Sequence, residues 1–373
     1  MEDIIMKEKQ ICSECGKVLA EDEIYEFDDH ILCEDCWDDK TVVCDCCSRR
    51  VWREDSEGDG QIIICTRCYE NHYTTCEDCG RYIRYDDALY EDGSDYPYCQ
   101  SCYARLKRKA IKPYSYKPEP IFYGSGPFYM GVELELDGGG EDSQNAQNLL
   151  DVANQSAEHL YIKHDGSLND GFELVTHPMT PEYHYRTMPW QELLKEALEL
   201  DYRSHQTTTC GLHIHCNRSA FGKYEYEQEE KIGRIVYFLE KHWCELVNFS
   251  RRSPDALNRW AARYATISQT TKETYEKAKR KRMGRYVALN LSNEETIEFR
   301  LFRGTLRYDT LIATLQLVEL VCQLAICSTD EDLERLSWSE FVLKIPEDKR
   351  ELIQYLKIRR LYVNELAQQN EEV

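Results

Sequence analysis

Six Cys-x-x-Cys pairs crowd the first 103 residues of this 373-residue chain, and they limit what it can fold into more than any other feature. The pairs are Cys12/Cys15, Cys33/Cys36, Cys44/Cys47, Cys65/Cys68, Cys76/Cys79 and Cys99/Cys102. Cys12, Cys44 and Cys76 follow one another at intervals of 32 residues, so residues 11–103 read as an internal repeat with units 11–40, 43–72 and 75–103. Each unit offers four thiolates, the ligand set of a structural tetrahedral Zn²⁺ with no position left for water. Units this short bury too little to hold themselves together, so three bound Zn²⁺ would supply much of their folding free energy. A disulfide framework is the competing reading. It is disfavoured because Met1 to Gln10 is charged and lacks the apolar stretch of an export signal, and the chain is expected to be cytoplasmic. Equal spacing favours sequential metal sites, with a cross-braced pairing left open. Cys46 falls outside the register and reads as a spare thiol.

Comparison of Cys-Ser-Glu-Cys-Gly-Lys (12–17) with Cys-Glu-Asp-Cys-Gly-Arg (76–81) shows units that resemble zinc ribbons or half-LIM fingers. Tyr25, Phe27, Ile62, Ile64, Tyr82 and Tyr98 suit short hairpins between the cysteine pairs. Such modules bind or position something and do not catalyse.

Charge narrows the partner. Residues 1–103 hold 27 Asp/Glu against 10 Lys/Arg, a balance of −17 out of −22 for the whole chain. Twelve thiolates with three Zn²⁺ would add a further −6. A phosphate backbone is bound by Lys and Arg, so nucleic acid is not expected; a basic or amine-bearing peptide or protein is. No membrane segment is expected either: Leu311 to Cys327 is the most apolar stretch, but Gln316, Glu319 and Gln323 share one helical stripe, which marks a buried core helix. Oligomeric state is not legible.

Residues 104–127 mix Lys107, Arg108, Lys109, Lys112 and Lys117 with Pro113, Pro118 and Pro120, and read as a semi-extended basic linker, or as a strap over an acidic surface. From Phe128 to Val373 strands and helices alternate. Strands are expected at Met130–Leu136, Leu160–Lys163, Phe172–Thr176, Cys210–Cys216, Tyr286–Leu291 and Thr296–Phe302. Helices are expected at Gln144–His159, about Pro181–Leu200, Glu227–Ser250 and Leu311–Cys327, with a helical extension to the C-terminus. The pattern implies an α+β domain, an antiparallel sheet with helices on one face.

Strand alternation concentrates polar residues on one side of that sheet. Gly-Val-Glu-Leu-Glu (131–135) places Glu133 and Glu135 opposite its leucines; Phe-Glu-Leu-Val adds Glu173; Gly-Leu-His-Ile-His adds His213 and His215; Thr-Ile-Glu-Phe-Arg adds Glu298 and Arg300, followed by Arg303. Taken singly, each pattern suits a solvated sheet face. Together they place clustered carboxylates that need a hard cation, Mg²⁺ or Mn²⁺, beside guanidiniums suited to phosphate oxygens. That combination has the form of a phosphoryl-transfer site. Cys210 and Cys216 flank the His-x-His strand and read as core residues rather than nucleophiles.

The same strands, in this order, resemble the carboxylate–amine ligase superfamily of glutamine synthetase and glutamate–cysteine ligase, and more closely the amidoligases of phages and bacteria. The resembling segments are 131–135, His-Asp-Gly-Ser-Leu (164–168), Gly-Phe-Glu-Leu-Val-Thr-His-Pro (171–178), Cys-Gly-Leu-His-Ile-His (210–215), Ala-Leu-Asn-Leu (288–291) and Thr-Ile-Glu-Phe-Arg-Leu-Phe-Arg-Gly-Thr-Leu (296–306). The resemblance covers about 128–330 and leaves the cysteine repeats outside. It implies a glutamine synthetase-like sheet curved around ATP and two or three Mg²⁺. In that frame Glu133, Glu135, Glu173, His213 and Glu298 would hold metal, and His215, Arg300 and Arg303 would contact phosphates. The family motif that contains Asp165 and Ser167 has no role assigned by the resemblance. The implied reaction is ATP-dependent amide or isopeptide formation through an acyl phosphate. A non-catalytic zinc-module adaptor and a metal-dependent hydrolase are the rival readings.

Overall fold

The computed structural model describes residues 10–90, 94–108, 110–281 and 283–362, and it divides into two compact units, Met1–Arg108 and Lys109–Val373.

In the first unit each repeat is a pair of short hairpins. In the first two repeats a seven-residue helix follows. The opening repeat pairs Gln10–Ile11 with Val18–Leu19 and Tyr25–Phe27 with His30–Leu32, then forms helix Glu34–Lys40. The second pairs Thr41–Val43 with Arg50–Trp52 and Ser56–Gly58 with Ile63–Cys65, ahead of helix Thr66–His72. The third pairs Tyr73–Thr75 with Tyr82–Arg84, keeps one bridge from Leu89 to Tyr98, and ends in helix Gln100–Arg108. Gly16, Ser48 and Gly80 occupy equivalent positions with φ of 77°, 58° and 71°, and each donates its N–H to the carbonyl of the first cysteine of its repeat. That left-handed turn explains the glycine after Cys-x-x-Cys in two repeats; the serine of the middle repeat adopts it against its side-chain preference.

The second unit is built on a seven-stranded sheet. In chain order its strands are β1 (Ile111–Lys112), β2 (Met130–Asp137), β3 (Leu160–Lys163), β4 (Gly171–Thr176), β5 (Gly211–Asn217), β6 (Leu289–Asn290) and β7 (Thr296–Arg303). They lie side by side as β1-β3-β4-β2-β5-β7-β6, parallel between β1 and β3 and antiparallel elsewhere. Val132, Leu134, Phe172, Leu174, Leu212, Ile214, Ile297 and Phe299 form a fully buried apolar face. Helix Tyr308–Cys327 belongs to the same core and brings Cys322 Sγ to 3.9 Å from Cys216 Sγ. Its polar stripe is satisfied internally: Glu319 takes the Tyr185 hydroxyl at 2.8 Å and pairs with Lys349, and Gln316 donates to Glu351. Length and composition would let this helix cross a membrane, but most of it is buried in the core. The α+β class and the mostly antiparallel sheet agree with the sequence reading.

Several boundaries differ. The helix expected to reach His159 is Ser143–Ala153, because the Asn154 side chain accepts from His159 and Leu160 N–H and donates to the Leu160 carbonyl, turning the chain into β3. The helix expected over 181–200 is two, Pro181–Arg186 and Trp190–Glu199, interrupted at Pro189. Residues 227–250 also split, at His242. The strand expected over 286–291 contracts to β6, and helices Pro254–Trp260 and Thr271–Arg280 had no counterpart in the reading. The expected linker 104–127 is not one in structure. Its first residues continue helix Gln100–Arg108, Lys109 lies outside the described residues, and Ile111–Lys112 is an edge strand. Further on, Tyr123 N–H reaches the Pro178 carbonyl. Alternating basic and proline residues concealed that the segment has backbone partners in the sheet domain. The helical extension was expected to run to the end of the chain; 363–373 lie outside the described residues.

Candidate functional site

The twelve repeat cysteines gather as Cys12–Cys15–Cys33–Cys36, Cys44–Cys47–Cys65–Cys68 and Cys76–Cys79–Cys99–Cys102, the sequential pairing. All cysteines are free thiols. Cys15 and Cys33 sulfurs are 3.6 Å apart, Cys47 and Cys65 4.0 Å, and Cys79 and Cys99 3.8 Å. A tetrahedron with Zn–S near 2.3 Å has edges of about 3.8 Å, so the spacing fits four thiolates around zinc and not a disulfide. Cys46 is outside its four-thiol set. Burial, first among the causes, pushes the Cys36, Cys68 and Cys102 thiols far above the ordinary range. Hydrogen bonds from Arg49 draw Cys47 down to about 6. Four thiolates cannot coexist so closely without a cation, which these sets are shaped to hold.

The polar face of the sheet collects the remaining candidates. Register places Glu133 opposite His213, Glu135 opposite Glu173, and His215 opposite Glu298. His213 Nδ1 lies 3.2 Å from Glu133 Oε2 and 3.7 Å from Glu298 Oε1, and His215 Nε2 lies 3.2 Å from Glu133 Oε1. Two groups of metal-capable atoms result, each within a span of 4.8 Å: Glu133–His215–Glu298 and Glu135–Asp165–Glu173. His215 Nε2 is buried and makes no hydrogen bond of acceptable geometry, and the same holds for Arg300 Nε. The ion pair with Glu133 compensates His215 Nε2, whereas Arg300 Nε is left as a buried nitrogen of the kind that is costly to leave unpaired. Burial opposes ionisation of Glu133, but the His215 and His213 charges outweigh it and hold its carboxyl well below the usual range. His215 is correspondingly lifted to about 8 by Glu133 against the effect of burial.

An irregularity in β7 sets its guanidiniums. The β5–β7 register shifts between Leu212 and Ile214, so that Phe299 pairs with Ile214, Phe302 with Leu212 and Arg303 with Gly211. In a regular strand Arg300 and Arg303 would point to opposite faces; the extra residue re-aims Arg303 to the face of Gly211. Arg300 pairs with Glu298. Arg303 does not join the carboxylates: it donates to the Arg251 and Thr207 carbonyls at 3.4 Å.

Three site residues escaped the sequence reading, and a fourth, Asp165, was named there without a role. Asn290 donates to Glu298 Oε2 at 2.8 Å. Lys163 pairs with Glu173 at 3.0 Å. Arg252, 7% exposed, donates to the Arg300 carbonyl, and its charge acts on Glu135. Asp165 belongs to the second carboxylate group. Asn290 and Asp165 lay in quoted motifs, and alternation in β3 put Lys163 on the polar side; nothing local marked Arg252. Gly211 is what admits it, since a Cβ there would lie 2.5 Å from Arg252 Nη2 and 2.8 Å from His213 Nε2. Cys210 is buried, with its thiol pushed up to about 12 by burial, and Cys216 is fully buried, which fits core roles.

No curated protein matches the chain. Among solved structures it is similar to a bifunctional glutathione synthetase from Pasteurella multocida, at 13% identity and a TM-score of 0.34, over 62% of this chain and 46% of that one. The chain therefore spans less than half the length of that enzyme. Residues 150–322 match a family model, a stretch that contains Glu173, His213, His215, Glu298, Arg300 and Arg303 but begins after β2 and its two glutamates. That model is described as "Putative amidoligase enzyme", and residues 150–322 are similar to it.

Proposed function

We propose that the second unit is an ATP- and Mg²⁺-dependent carboxylate–amine ligase that makes an amide or isopeptide bond through an acyl phosphate. The observation that carries the reading is the convergence of Glu133, His215 and Glu298 from three strands, their ligand atoms within 4.8 Å of one another. An oxygen-rich set with one imidazole suits Mg²⁺ or Mn²⁺. A divalent ion held there would neutralise charge on the oxygens flanking a transferred phosphoryl group. Glu133 and Glu298 would hold it, with His215. Asn290 fixes the rotamer of Glu298 through Oε2, and His213 orients Glu133. Arg300, tethered to Glu298 by one nitrogen, keeps Nε for a phosphate oxygen.

In this reaction the substrate carboxylate oxygen attacks the γ-phosphorus of ATP, the bond to the bridging oxygen breaks, and ADP leaves. The amine nitrogen then attacks the acyl carbon, phosphate departs, and the amine gives up one proton. No protein nucleophile takes part. The acidic cysteine modules would recruit a basic peptide or protein as the amine, raising its local concentration. Hydroxylamine, a small amine surrogate, provides the test. With Mg²⁺, ATP and a panel of carboxylate-bearing peptides, the expected products are a hydroxamate, ADP and phosphate in equal amounts. AMP and pyrophosphate would refute the acyl phosphate, metal-dependent peptide cleavage without ATP would indicate a hydrolase, and no turnover on any carboxylate would leave the adaptor reading.

A further inference from the structure

The second acidic group on the sheet holds an ammonium. Across β3, β4 and β2 the register sets Lys163 beside Glu173 and Glu173 beside Glu135 in one row on the polar face. The Lys163 ammonium lies 3.0 Å from Glu173 Oε1, with side chains 11% and 4% exposed. The Tyr114 ring covers it from 5.4 Å. Its partner Glu173 belongs with Glu135 and Asp165 to a group whose oxygens lie within 4.8 Å of one another.

We propose that Lys163 is a resident cation of the Glu135–Asp165–Glu173 group, standing where a second divalent ion would otherwise bind, so that the domain takes up a single divalent ion at Glu133–His215–Glu298 before nucleotide arrives. This rests on the metal-site reading given above. A divalent ion on Glu173 Oε1 would meet a like charge inside a low-dielectric pocket, which disfavours sharing that oxygen. A permanent charge has a use in a phosphoryl-transfer site: it neutralises carboxylates without requiring a second metal to be captured in each cycle.

Equilibrium dialysis of the zinc-loaded full chain against Mn²⁺ alone, with bound ion counted by electron paramagnetic resonance, tests this without reference to activity. The wild type is expected to bind one Mn²⁺, Lys163→Met two, and the double variant with Glu298→Gln one. Glu173→Gln, a nearly isosteric change that serves if Lys163→Met does not fold, is expected to keep one Mn²⁺ with unchanged affinity. A wild type that binds two ions, a folded Lys163→Met that still binds one, or a tenfold weaker Mn²⁺ site in Glu173→Gln would each overturn the proposal. A wild type that binds none would instead refute the metal-site reading beneath it.

Discussion

The two units answer the same problem, too much negative charge in too little space, by different means. In the cysteine repeats the buried sets are Cys12, Leu19, Leu32 and Cys33; Cys44, Ile64, Cys65, Cys68 and Tyr73; and Cys76, Tyr98, Cys102 and Leu106. About half of each is ligand, so without metal there is little apolar surface to hold the fold. The sheet unit buries Phe172, Trp190, Tyr202, Phe221, Phe238, Phe249 and Phe299 in one continuous core, and its carboxylates are added to a structure already stable. On the proposed reading, metal is structural in one unit and functional in the other.

The largest test of this contrast is zinc removal. A zinc-selective chelator is expected to abolish the calorimetric transition of residues 1–108, whose metal contributes on the order of 10 kcal/mol per site, and to leave the transition of 109–373 within about 2 °C. A shared, fully reversible shift of both transitions would break the comparison.

Acidification separates the units again. His184 is fully buried and held down to about 4 by burial, and His242 likewise to about 4. Their folded values lie below the unfolded one near 6.5, so their contribution is complete above that pH. It is lost as pH falls toward 4, because the unfolded chain binds the protons that the folded chain refuses. Each is worth about 3 kcal/mol. Urea denaturation of the sheet unit is expected to shift to lower midpoint between pH 7 and pH 5 whatever the zinc concentration, whereas acid loss in the cysteine repeats is opposed by added zinc.

Much of this arrangement is legible in sequence, for physical reasons that differ between the units. Zinc ligands lie within 27 residues of one another, and four-thiolate geometry permits few spacings. The sheet site draws on Glu133 through Glu298, and what betrays it is alternation: charged side chains sit opposite leucines in strands that read as core. Where tertiary contacts decide, pattern fails. Arg252 enters through the space left by Gly211, the irregularity in β7 turns Arg303 to the polar side, and β1 hides in a stretch whose prolines mimic a linker.

Smaller effects sharpen the functional side. Asn290→Ala removes the group that positions Glu298 and is expected to weaken Mn²⁺ binding about tenfold, as read by dialysis. Smallest is Asp142→Ala. Asp142 caps helix Ser143–Ala153 by accepting from Gln144 and Asn145 N–H, and its loss is expected to cost about 1 kcal/mol, seen as a modest drop in urea midpoint without change in Mn²⁺ affinity.

The most direct test is calorimetric titration of ATP into the full chain, with and without Mg²⁺, before and after zinc has been selectively withdrawn. The expected result is nucleotide binding that requires Mg²⁺, survives loss of zinc, and disappears in Glu298→Gln while the sheet unit melts as before. No binding at millimolar ATP, or binding indifferent to both Mg²⁺ and Glu298→Gln, would contradict the assignment of the polar face as a metal–nucleotide site.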